Sequence, residues 1–101
     1  IVVLGHSSCG AIKGACDNVQ LGNLTGLLAQ VQPAIDASPC EGERNSHNKP
    51  WLAAVIKNNV LQTMQDIPAR SEVIRDLVAQ GKVTIVGGVY DLATGAITWL
   101  D

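Results

Sequence analysis

Ile1–Leu4 is a continuous apolar run, mostly β-branched, ending at Gly5, the pattern of a strand buried on both faces of a parallel sheet. From Ser8 to Val19 the pattern turns helical, with Ala11, Ile12, Ala15 and Val19 at three- and four-residue steps. A short glycine turn therefore joins strand to helix. After a Gly22-Asn23 break, Leu24, Leu27, Leu28, Val31 and Ile35 mark a second amphipathic helix, which Pro33 bends or restarts. Residues Ala37–Lys49 are polar and turn-rich, and read as a loop and the least ordered part of the chain.

Pro50 suits the first turn of a long helix in which Leu52, Val55, Ile56, Val60, Met64 and Ile67 form one apolar face, with Pro68 closing it. Ser71 is the N-cap of a shorter helix carrying Ile74, Leu77 and Val78 and stopped by Gly81. Lys82–Tyr90 then reads as a second core strand, and Asp91–Leu100 passes through a Thr94-Gly95 turn into an edge strand. The sum is an α/β fold: a mainly parallel sheet core, flanking helices and an antiparallel C-terminal edge strand. No repeat or linker pattern divides the 101 residues, which read as a single domain.

Composition narrows the function classes. A net charge of −2, seven Lys and Arg spread along the chain and three aromatic residues leave neither a basic stripe nor a stacking platform for nucleic acid. No apolar run approaches the ~20 residues of a membrane span, so the chain reads as soluble. Only 16% of residues are charged against 47% apolar, a poverty of surface charge that suggests coverage by another chain, hence a homodimer or higher homo-oligomer. Three cysteines without framework spacing argue against a disulfide scaffold and leave metal binding or a reactive thiol open; the compartment is undetermined, with cytoplasm favoured over periplasm.

The chemistry gathers at Gly5–Cys16, "GHSSCGAIKGAC". Ligands of open parallel sheets bind at the carboxyl ends of strands, and His6 ends the first strand while Cys9 opens the helix after it. The turn lets the two converge, and a helix start favours the thiolate that serves as nucleophile or metal ligand. Zinc accepts such a nitrogen and sulfur pair, while the plainer alternative is a histidine and a thiol that only pack at a tight turn. Cys16 lies about 10 Å further along the helix axis and reads as a core residue. Cys40 and His47 are too widely spaced in their loop for a zinc knuckle, and Trp99 on the edge strand is an interface candidate.

"VVLGHSSCGAIKGA" resembles the second signature of the β-class carbonic anhydrases, Gly-His-x-x-Cys-Gly-Ala-Val/Ile after an apolar strand. "GNLTGLL", "NNVLQTMQDI" and "SEVIRDLVAQGKVTIVGGVYDLATGAI" are similar to that family's later half, so that the resemblance spans nearly the whole chain. It implies reversible hydration of carbon dioxide to bicarbonate at a Zn2+ ion held by one histidine and two cysteines. His6 and Cys9 match the histidine and the second cysteine, and Gly10 would lie beside the substrate. The first signature, Cys-x-Asp-x-Arg, which carries the other cysteine and an aspartate–arginine pair, is absent; Cys40-Glu41-Gly42-Glu43-Arg44 has Gly where the aspartate belongs. The resemblance therefore implies an N-terminally truncated domain, a lyase as a family but uncertain as an isolated chain. Two other readings remain: a non-catalytic module of the same fold, and a zinc hydrolase acting on carbon disulfide or carbonyl sulfide.

Overall fold

The computed structural model describes residues 1–100. In chain order the elements are β1 (Val2–His6), α1 (Gly10–Cys16), α2 (Gly22–Ala29), α3 (Gln32–Asp36), α4 (Lys49–Arg70), α5 (Glu72–Ala79), β2 (Val86–Tyr90) and β3 (Ile97–Leu100). Among these residues the strands form one three-stranded sheet in the order β1-β2-β3. β1 pairs parallel to β2, with Val2 opposite Val86 and His6 opposite Tyr90, and β2 pairs antiparallel to β3. The expected α/β architecture, with a parallel pair and an antiparallel edge, is the one observed.

The long helix α4 is the organising element. Asn48 caps it by accepting from the Trp51 amide at 3.3 Å, and Pro50 sits in the first turn, where a missing N–H costs nothing. Its Trp51, Leu52, Val55, Ile56 and Val60 are buried and join Ile12, Cys16, Val31, Ala34 and Ile35 in the core. The sheet approaches α4 closely because two strand positions lack side chains. A Cβ at Gly5 would stand 2.7 Å from Val60 Cγ2, and one at Gly87 would stand 2.9 Å from Val60 Cγ1. Alternation places Val3, Gly5, Gly87 and Val89 on this covered face.

Several boundaries differ from the sequence expectation. Helix α1 is shorter than Ser8–Val19, because Ser8 (φ 54°) and Asn18 (φ 55°) are both left-handed and Cys9 is extended, so only Gly10–Cys16 winds. The second helix is two pieces, with Pro33 in the first turn of α3, a restart. Pro68 does not end α4: the helix runs on to Arg70, and the turn closes with the Ser71 amide donating to the Ile67 carbonyl at 3.1 Å. Ser71 then caps α5 by accepting from the Ile74 amide, and Gly81 follows at φ 72° as the expected stop. β2 begins at Val86 rather than Lys82, where its ladder with β1 starts at the Val2–Val86 pair.

The largest difference concerns β1. Val2 and Leu4 are 57% and 49% exposed, so the strand is buried on one face and not on both. Val86, Ile97 and Trp99 lie on the same open face, all of them exposed.

The polar segment after α3 is irregular but tied down. Asp17 accepts from the Ser46 amide at 2.7 Å and the Ser46 hydroxyl at 2.6 Å. Asn48 Nδ2 donates to the carbonyls of Glu41 and Glu43, Trp51 Nε1 donates to the Ser38 carbonyl, and the Arg44 guanidinium lies 5.1 Å from the Trp51 ring centre. Asn58, a poor helix former inside α4, donates to the Ser38 hydroxyl at 2.7 Å, so its place in the helix is explained by the loop it holds.

Candidate metal centre

His6 is the last residue of β1 and Cys9 is the N-cap of α1; Ser7 and Ser8 make the turn between them. The left-handed backbone at Ser8 is unusual for a residue with a Cβ, and it reverses the chain within two residues. Both side chains are half-buried and line the same groove, about 730 Å³, beside the unpaired edge of β1. The groove wall is mostly apolar near the corner, with Ile12, Leu28 and Ile56, and becomes polar further along α4 at Thr63, Asp66 and Arg70.

The histidine is oriented. Its Nδ1 lies 2.9 Å from the Ser7 carbonyl oxygen, and a carbonyl only accepts, so Nδ1 carries the proton. Nε2 is left with its lone pair, the arrangement that metal-bound histidines use. The donor chemistry at the corner, an imidazole nitrogen and a thiol sulfur, suits zinc. The donor number does not complete a site: among the described residues no group of three His, Cys, Asp or Glu side chains could hold a metal ion.

Gly10 follows Cys9 on the exposed start of α1, and a Cβ there would meet nothing within 4 Å. The structure does not bring the remaining candidates to the corner. Cys16 is buried in the core, where burial and the neighbouring Asp17 push its thiol pKa up. Cys40 donates to the Glu43 carbonyl at 3.3 Å within its loop, and His47 is exposed on the same loop. Asp91 serves the turn after β2, accepting from the Ala93 amide at 2.8 Å.

One residue of the corner carries no signal in the sequence. The Ser7 amide donates to the Tyr90 carbonyl at 2.9 Å, and the Ser7 hydroxyl accepts from the Leu92 amide at 2.9 Å. A serine beside a histidine announces a turn, but not a partner 85 residues away.

Comparison with known proteins bears on the family and the fold. The family described as carbonic anhydrase matches residues 1–97. The chain is 33% identical over 102 aligned positions to carbonic anhydrase 2 of Mycobacterium tuberculosis, covering all of this chain and 48% of that protein. It is 30% identical to a carbonic anhydrase of Pseudomonas aeruginosa, covering 46% of it. The chain thus spans about half the length of the relatives it matches. Among solved structures, the β-carbonic anhydrase CcaA superposes with a TM-score of 0.78 at 23% identity, over the whole of this chain and 46% of that one. A tetrameric β-carbonic anhydrase from Sordaria macrospora superposes with a TM-score of 0.76 at 24% identity, over 99% of this chain and 51% of that one.

Proposed function

This chain belongs to the β-class carbonic anhydrase family, and from that premise we propose that it forms part of a zinc-dependent enzyme for the reversible hydration of carbon dioxide to bicarbonate. His6 Nε2 and Cys9 Sγ would be two of three protein ligands. The observation that carries the reading is the hydrogen bond from His6 Nδ1 to the Ser7 carbonyl, which leaves the Nε2 lone pair available in a groove that the half-buried Cys9 thiol also lines. Bound there, zinc would supply the Lewis acidity that makes water a nucleophile near neutral pH. The residues of the chain bind and orient: the Ser7 carbonyl holds the imidazole, and the open space at Gly10 leaves room for a small linear substrate.

The third ligand and the groups that govern the reacting water would come from residues outside these 101, in the same polypeptide or in a partner subunit. Residues 1–101 would then be part of one domain. The exposed apolar face of the sheet supports assembly with further protein, a homodimer or higher homo-oligomer included. For the chain taken alone, the lack of a third donor among the described residues favours a folded module without turnover.

The test is the zinc-to-protein ratio by elemental mass spectrometry, for the chain as given and for its Cys9→Ser and His6→Ala variants, followed by stopped-flow assay of carbon dioxide hydration. We expect substoichiometric zinc, reduced further in both variants. Zinc content unchanged in Cys9→Ser would overturn the ligand assignment. A full complement of zinc without hydration would leave the module reading.

A further inference from the structure

We infer that Ser7 is a positioning residue for the His6–Cys9 pair, holding the corner to the end of β2 and the turn toward β3 through its hydroxyl and its backbone. The inference rests on His6 and Cys9 being metal ligands, and adds a residue that neither donates to a metal nor touches substrate.

Three hydrogen bonds meet at this residue. Its amide donates to the Tyr90 carbonyl at the end of β2, its hydroxyl accepts from the Leu92 amide in the turn toward β3, and its carbonyl accepts from His6 Nδ1, each at 2.9 Å. The amide bond continues the β1–β2 ladder by one step beyond the His6–Tyr90 pair. The hydroxyl bond reaches further, to a turn that is itself closed: the Asp91 amide donates to the Ala96 carbonyl at 2.8 Å and the Gly95 amide to the Asp91 carbonyl at 2.8 Å. Ser7 is thereby fixed from two sides by a rigid hairpin. The carbonyl that orients His6 belongs to the same residue, so fixing Ser7 fixes the imidazole.

The next residue explains why the corner needs an anchor. Ser8 is held at φ 54°, a conformation disfavoured for any residue with a Cβ, and it lies between the two ligands. Without a hold on Ser7, the turn can relax toward an ordinary conformation and carry His6 and Cys9 apart. Alanine at position 7 keeps the carbonyl and the amide but releases the Leu92 tie. Because Leu92 is exposed, water takes the hydroxyl's place on its amide and the fold survives.

The experiment compares the wild-type chain with Ser7→Ala, Ser7→Thr and Thr25→Ala. The last removes a hydroxyl of the same kind, which accepts from the Leu21 amide at 2.8 Å, away from the corner. Zinc affinity is measured by competition with a chromophoric chelator. The tautomer of His6 is read in the zinc-free chain from imidazole nitrogen NMR, assigned with His47→Gln. Ser7→Ala should weaken zinc binding about 10- to 100-fold and turn a single Nδ1–H tautomer into a mixture, Ser7→Thr should restore both, and Thr25→Ala should change neither. Equal zinc loss in Ser7→Ala and Thr25→Ala would reduce Ser7 to a structural role and overturn the inference. If the wild-type chain itself binds no measurable zinc, His6 and Cys9 do not hold the metal without the third ligand, and the affinity comparison falls away. The tautomer then decides, and an unchanged Nδ1–H tautomer in Ser7→Ala overturns the positioning role.

Discussion

The two faces of the sheet are built from the same three strands and meet different surroundings. On one, Gly5 and Gly87 let Val60 of α4 come within a methyl group's width of the backbone, and the apolar core continues from there into α1 and α3. On the other, Val2, Leu4, Val86, Ile97 and Trp99 are as apolar but exposed. Residue type does not distinguish them. A parallel strand reads as apolar throughout because both of its faces are ordinarily covered, so apolarity reports that a face is meant to be covered and not what covers it.

The sharpest break in that contrast would come from truncating each side in turn. Ile56→Ala, under Gly5 and 4% exposed, should cost about 2–5 kcal/mol by urea denaturation, whereas Leu4→Ser should stay within about 1 kcal/mol. Comparable losses would mean that the open face is already covered in solution.

Adding atoms should give a smaller version of the same difference. A methyl at Gly5 meets Val60 and Ile56, both stiff at χ1, and Gly5→Ala should cost about 1–3 kcal/mol. At Gly88, on the other face, the methyl meets the Thr98 carbonyl at 3.2 Å and, at closer range, the side chains of Ile97 and Trp99, which have solvent to move into, so Gly88→Ala should cost less. The reverse order would show the open face to be the more rigid one.

Association offers a third measure, since the open face exposes Val2, Leu4, Val86, Ile97 and Trp99 together, the kind of apolar patch that marks an interaction surface. Sedimentation velocity across a range of concentrations should find self-association that Trp99→Ser weakens by about tenfold, roughly 1.4 kcal/mol, with thermal stability at low concentration little changed. Association indifferent to Trp99→Ser would move the interface elsewhere.

The smallest expected effect is one of pH. The Ser46 hydroxyl and amide hold the Asp17 carboxyl below the usual carboxylate range by bonding its charged form. A depressed folded-state pKa stabilises above the unfolded value, about 4, and that contribution disappears as pH falls through the lower folded value. Asp17→Asn should therefore flatten the acid limb of the stability profile below about pH 4 and leave its neutral limb parallel to wild type. An acid limb unchanged in the variant would mean that other carboxylates carry it.

The His6–Cys9 corner is legible in the sequence because the strand end, the reversal and the helix start lie within four residues, while the ties from Ser7 to Tyr90 and Leu92 are not. The caps at Asn48 and Ser71, the restart at Pro33 and the stop at Gly81 are local in the same sense, although the polar run around Asn48 predicts loop and not a cap. Pro68 misled because its ring forbids one hydrogen bond and discourages a helix before it, yet α4 packs on both parallel strands and keeps its last turn. The loop after α3 looked unanchored because its anchors, Asp17 and Asn58, stand 29 and 20 residues from their partners.

The sequence by itself determined the alternation of strand and helix, the apolar strips and the placing of an imidazole and a thiol at one corner, since periodicity and turn chemistry act between near neighbours. Only the tertiary structure decided which face of the sheet α4 covers, that β2 pairs from Val86 onward, that Cys16 belongs to the core and Cys40 to its loop, and that Ser7 is tied to Leu92. Those outcomes depend on which distant segments meet, and a meeting across 85 residues leaves no periodic trace in either partner.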